Sequence, residues 1–103
     1  MHIEKNKEVL TFYLNEDVDD YQISLIKEEC IRLIDSLHPS VVILDFSDVS
    51  FVDSTGIGFV LARYKQCASN QCQLMLKGLK SHHRVLFAMS GLFHLIKEVP
   101  GYE

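Results

Sequence analysis

The chain has 103 residues, a formal net charge of −4, 48% hydrophobic residues and 23% charged residues, with ten Lys and Arg scattered and no basic run. That length suits one domain, 1–103, with its own core, and the balance is that of a globular chain, not a disordered one or a nucleic-acid binder. The N-terminal MHIEKNKEVL lacks the apolar centre of a secretion signal, no apolar run reaches bilayer length, and the three cysteines suit reduced thiols in the cytoplasm.

Ile3 begins a first strand and Val9-Leu10-Thr11-Phe12-Tyr13-Leu14 forms a stronger second one, with Asn6-Lys7 as the turn between them. An acidic loop follows, Asn15-Glu16-Asp17-Val18-Asp19-Asp20, in which Asp19 or Asp20 is placed to cap a helix. That helix carries Ile23, Ile26, Cys30, Leu33, Ile34 and Leu37 at helical spacing and ends before Pro39. Val41-Val42-Ile43-Leu44 is a short apolar run without alternation, the pattern of a strand buried on both faces.

After Phe51-Val52 and Asp53-Ser54-Thr55-Gly56-Ile57-Gly58, a helix is predicted from about Ser54 to Ala68, with Ile57, Val60, Leu61 and Tyr64 on one face. Ser69-Asn70-Gln71 breaks it, and Gln73-Leu74-Met75-Leu76 is the next strand. A third helix, from about Ser81 to Ser90, is expected to bury Val85, Leu86 and Met89, with Gly91 at its C-terminal end. Leu95-Ile96 forms a last short strand. Strands alternating with helices imply an α/β fold with a parallel or mixed sheet.

The turn from Asp53 to Gly58 sits at a helix start, where free N–H groups and the dipole suit an anion. Without its neighbours it fits several chemistries badly. An aspartic-protease motif needs Gly where Thr55 stands, a nucleophile elbow needs Gly where Val52 stands, and no Gly-Lys-Ser/Thr is present. The plain alternative is that Ser54 or Thr55 merely caps the helix. The acidic loop lacks the Gly and closing Glu of a calcium loop. Cys67 and Cys72, with His82 and His83 downstream, lack the paired spacing of a zinc site. No metal, cofactor or Ser–His–Asp triad is expected. Phe87 to Phe93 reads as core.

The run LDFSDVSFVDSTGIGFVLARYKQ, followed by RVLFAMSGLFHLI, resembles the STAS-domain anti-anti-sigma factors. In pattern it is most similar to the branch acting on the forespore-specific sporulation sigma factor of endospore-forming bacteria. The resemblance spans about Val41 to Ile96. It implies a STAS fold, a mixed four- to five-stranded sheet covered by about three to four helices. It also implies a non-catalytic role: the unphosphorylated protein binds an anti-sigma factor that is itself a serine kinase and so frees the sigma factor. The kinase then phosphorylates Ser54, and a separate phosphatase restores the serine. By the same resemblance Asp17, Asp19, Asp53, Thr55, Gly56, Ile57 and Gly58 are the partner contacts.

Gln71-Cys72 replaces the Gly-Gly common among relatives, and Glu16 replaces a Gly ahead of the first acids. Two other readings remain. One is a non-catalytic STAS subunit of a lipid-transport ABC-type ATPase or a signalling scaffold. The other is a small nucleotide-binding or hydrolytic enzyme built on the Asp53–Gly58 turn, which no Lys, metal ligand or base accompanies.

Overall fold

The computed structural model describes residues 1–15 and 20–100, the side chain of Asp20 excepted. The elements are β1 (His2–Asn6), β2 (Val9–Tyr13), α1 (Asp20–Leu37), β3 (Val41–Asp45), α2 (Ser54–Ser69), β4 (Gln73–Lys77), α3 (Ser81–Met89), a 3-10 turn (Leu92–His94) and β5 (Lys97–Glu98). β1 and β2 form an antiparallel hairpin with Asn6 opposite Val9. Its turn is therefore Lys7-Glu8, one residue later than expected, and Lys7 takes a left-handed φ of 57°.

From β2 onward each strand pairs in parallel with the next, giving one five-stranded mixed sheet in the order β1-β2-β3-β4-β5. Parallel neighbours need a long return path, which α1, α2 and α3 supply. The result is the expected α/β fold.

Register explains the core. Leu10, Val42 and Leu74 lie in one row and Phe12, Leu44 and Leu76 in the next. All six are buried, together with Ile23, Cys30 and Ile34 of α1 and Phe59, Val60 and Cys67 of α2. Burial removes each large apolar side chain from water for roughly 1.5–3 kcal/mol. The opposite face differs: Val41 and Ile43 of β3 are only half-buried. The expectation of a central strand buried on both faces therefore holds fully on one.

Two further expectations are corrected. On α3, Val85 and Met89 are 59% and 82% exposed, and Leu86 is half-buried. The inward line is His83 and Phe87, one turn apart, continuing from buried Leu79. Apolar identity was a poor guide here because a neutral His with both ring nitrogens bonded is cheap to bury. The last strand is Lys97–Glu98, not Leu95-Ile96. Ile96 instead fills the core, and Leu95 is exposed. Of the apolar segment 87–93, Phe87 and Leu92 are core, whereas Phe93 joins Met89 among the exposed residues. Gly91 adopts a left-handed φ of 80° just past α3, as its position at the helix end requires.

Gly78 shapes the end of the sheet nearest the Asp53–Gly58 turn. Its φ is 72°, and an added Cβ would run into Ser47 Oγ and lie 2.8 Å from Ser47 N and 3.0 Å from Asp45 Oδ1. That carboxylate oxygen accepts the Ser47 N–H at 2.8 Å, and the Phe46 N–H donates to Lys77 O at 2.8 Å. Gly78→Ala combines a left-handed alanine with an overpacked turn, so it should cost at least about 2 kcal/mol. A urea midpoint equal to wild type would contradict the contact.

Candidate functional site

β3 ends at Asp45, and the chain then crosses the end of the sheet to reach α2. Buried Phe46, Val49 and Val52 pin this crossing from below. Asp53 follows in an extended conformation, φ −109° and ψ −171°, and is the N-cap of α2. Its Oδ1 accepts the Gly56 N–H at 3.0 Å, and its carbonyl accepts the first helical bond from Ile57 N at 3.1 Å. The cap is thus Asp53, where Ser54 and Thr55 were the expected candidates. Asp is favoured there because its carboxylate reaches the third helical N–H and meets the positive end of the helix.

With the cap assigned to Asp53, Ser54 is released from that duty. It is the first residue of α2, it is exposed, and its hydroxyl makes no hydrogen bond among the described residues. Thr55 is half-buried, Gly56 buried and Ile57 half-buried. Gly58 is exposed, with no atom within 4 Å of where a Cβ would stand. Five of the seven expected contact residues, Asp53 and Thr55 to Gly58, therefore lie together around Ser54. Asp17 and Asp19 lie outside the described residues.

The first turn of α3 holds the crossing in place. Lys80 Nζ donates to Ser47 O and to Val49 O, both at 2.8 Å. His82 Nε2 and His83 Nε2 lie 2.7 Å and 3.1 Å from Ser50 O. Lys80 N–H donates to His83 Nδ1 at 3.1 Å. Since Nδ1 accepts, the neutral His83 ring carries its proton on Nε2 and donates to Ser50. These three side chains satisfy carbonyls that no strand or helix uses. Sequence reasoning missed them, considering the histidines only as metal ligands or as members of a catalytic triad. The available signal was a Lys-x-His-His cluster at a helix start.

A second omission is Arg63, on the inner face of α2 and only 6% exposed. Its guanidinium lies 5.3 Å from the Phe59 ring centroid, a cation–π contact one turn away. Nε and Nη1 have no hydrogen-bond partner among the described residues. Burial pulls its pKa down, opposed by Cys30, Cys67, Asp35 and Glu28. At the far end of α1, Asp35 accepts from Gln66 and Asn70, which ties the two helices together.

Among the described residues no group of three or more His, Cys, Asp or Glu could hold a metal ion. No described helix is long and apolar enough to cross a membrane.

The sequence pattern of the STAS domain matches residues 1–102. The anti-sigma-B factor antagonist of Listeria monocytogenes is 27% identical over 94 residues, covering 91% of this chain and 82% of that protein. The anti-sigma F factor antagonist of Paenibacillus polymyxa is 23% identical over 96 residues, covering 93% and 82%. Among solved structures, the anti-sigma factor antagonist SpoIIAA in its unphosphorylated form superposes with a TM-score of 0.75 at 21% identity, over 97% of this chain and 88% of that one. The phosphorylated form of SpoIIAA, a Bacillus cell fate determinant, also gives 0.75, at 23% identity over 96% and 90%.

Two predictions follow from the geometry. Asp53→Ala removes the cap and should lower stability by about 1 kcal/mol, visible in urea titration; no loss would mean that another group caps α2. Burial holds His83 below its ordinary value of 6.5, with His82, Lys80 and Arg84 adding to the effect and the Ser50 bond opposing it. As pH falls below that value the unfolded chain takes the proton first, so stability present above it drains away. Between about pH 7 and pH 5.5 the wild-type midpoint should fall more steeply than that of His83→Gln. Equal slopes would exonerate His83.

Proposed function

We propose that this chain, which belongs to the STAS-domain family, acts as an anti-sigma factor antagonist switched by phosphorylation of Ser54. When unphosphorylated it binds an anti-sigma factor that is a serine kinase, and the sigma factor is released. It is a substrate and ligand there, not a catalyst. A serine phosphatase acting on phospho-Ser54 resets the switch.

The observation that carries this reading is the division of labour at the start of α2. Asp53 caps the helix, while the adjacent Ser54 hydroxyl is exposed and unbonded among the described residues. Thr55, the neighbouring hydroxyl, is half-buried, which favours Ser54 as the acceptor. The half-buried and glycine positions of the first two turns, Thr55 to Gly58, offer the kinase a surface with few protruding side chains.

Phosphate on Ser54 adds about −1.5 to −2 charges. It lies beside the Asp53 carboxylate, and it enters an interface packed against an uncharged hydroxyl. The α2 dipole favours the same phosphate within the free protein. The added charge and bulk oppose the complex, and the dipole offsets part of that cost. A hundredfold loss of affinity needs only about 2.7 kcal/mol. The acids Asp17 and Asp19 are proposed as further contacts for a basic group on the kinase. Relatives named for sigma-B and for sigma F both match, at 27% and 23% identity, so the proposal is for the class of target and not for one sigma factor.

The test is a reaction of the protein with an anti-sigma serine kinase and ATP, followed by mapping of the modified residue. One phosphate on Ser54 is expected, none on Ser54→Ala, and at least tenfold weaker kinase binding by Ser54→Asp. Transfer to Thr55, no transfer, or equal affinity of Ser54→Asp and wild type would sink the proposal.

A further inference from the structure

Two of the three cysteines meet where α2 hands over to β4. Cys67 is buried on the last turns of α2, and Cys72 is half-buried immediately before β4. Their neighbourhood is a defined turn. The Cys72 N–H donates to Cys67 O at 2.8 Å and the Gln71 N–H to Ala68 O at 3.3 Å. Gln71, one residue past the C-cap Asn70, has a φ of 57°.

This pair of bonds around a left-handed residue is a Schellman turn. It brings the third-last helical residue against the second residue beyond the cap. That contact is normally made by two apolar side chains. Here both are thiols, Cys67 buried and Cys72 half-buried, and the Cys72 thiol donates to Gln73 O at 3.7 Å.

We propose that Cys67 and Cys72 form an oxidisable dithiol that closes to an intramolecular disulfide by exchange with a low-molecular-weight disulfide. Cys72 is the more accessible thiol and attacks first. Its thiolate bonds to one sulfur of the small disulfide, and the other sulfur leaves as a thiolate. The Cys67 thiolate then attacks Cys72 in the mixed disulfide and expels the second small thiolate. The two cysteines are oxidised by two electrons, the small disulfide is reduced to two thiols, and the two cysteine protons end on the leaving groups.

The surroundings support that order. Burial raises the pKa of Cys72, but the Cys67 thiol and the Val42 backbone both favour its thiolate. Cys67 is pushed up to about 12 by burial, so it waits for its partner. Closure is therefore slow at neutral pH and accelerates as pH rises. Cys30, buried on α1, stands outside the turn and remains a thiol. The disulfide would pin Gln71, a residue without glycine's freedom, in its left-handed conformation.

The experiment incubates the native protein with excess glutathione disulfide, quenches with acid, and reads intact mass and linked peptides. Expected results are loss of two of the three thiols, a mass lower by two hydrogens, a peptide linking Cys67 to Cys72, and a rate that rises with pH. Cys67→Ser should stop at a single glutathione adduct on Cys72, and Cys72→Ser should stay unmodified. The proposal is overturned if the wild type keeps an unresolved adduct, if Cys67 pairs with Cys30, or if the native protein retains all its thiols while the urea-unfolded chain is oxidised.

Discussion

The crossing between β3 and α2 poses a problem in hydrogen bonding that the rest of the molecule is arranged to solve. The carbonyls of Ser47, Val49 and Ser50 belong to no ladder, and an unpaired carbonyl near a core is costly. Lys80, His82 and His83 from the start of α3 supply the donors. Gly78 lets the chain turn close enough for them to reach, since a side chain there would strike Ser47. Phe46 packs edge-on against Phe87 at 5.7 Å and beside His83 at 6.0 Å, so the polar grip rests on aromatic core. The position of Ser54 is set at second hand by a helix that lies nearly thirty residues away in the chain.

Within that frame the start of α2 separates two tasks that short polar residues often share. The carboxylate of Asp53 is committed to the Gly56 N–H, which leaves the serine beside it with no structural role among the described residues. A group without a structural role can be chemically altered at little cost to the fold. The same group, modified, changes the charge of the surface it sits on. On the proposed reading, stability falls to Asp53 and switching to the residue beside it.

Much of this was legible in the chain. The apolar runs of β2, β3 and β4 marked their strands, because a parallel sheet keeps apolar residues on both faces even where one is only half-buried. Both ends of α2 were close to expectation, and so was the cluster from Asp53 to Gly58. What could not be read was any feature in which a polar residue behaves as core. His83 is buried since its two ring nitrogens are both matched by backbone groups, and Arg63 since its guanidinium faces Phe59. Periodicity scored by apolar character passes over such residues and so rotated α3 toward Val85 and Met89. The N-cap was misassigned for a related reason: Asp53, Ser54 and Thr55 are all good caps, and only backbone angles decide among them. The identity of the Cys67–Cys72 contact was also out of reach, because it needs Gln71 in a conformation more typical of Gly.

Strand order in this sheet is the same as chain order. Each new strand therefore lands beside the one made before it, and the edge of the sheet always belongs to the most recent segment. No strand has to be inserted between two that are already joined, and no early segment must wait for a distant late one to complete its ladder. A chain emerging from its N-terminus could add β2 to β1, then β3, β4 and β5 in turn, each delivered by the helix preceding it. Growth by accretion at one edge keeps the loops that must close short, which is the cheapest way to assemble parallel strands.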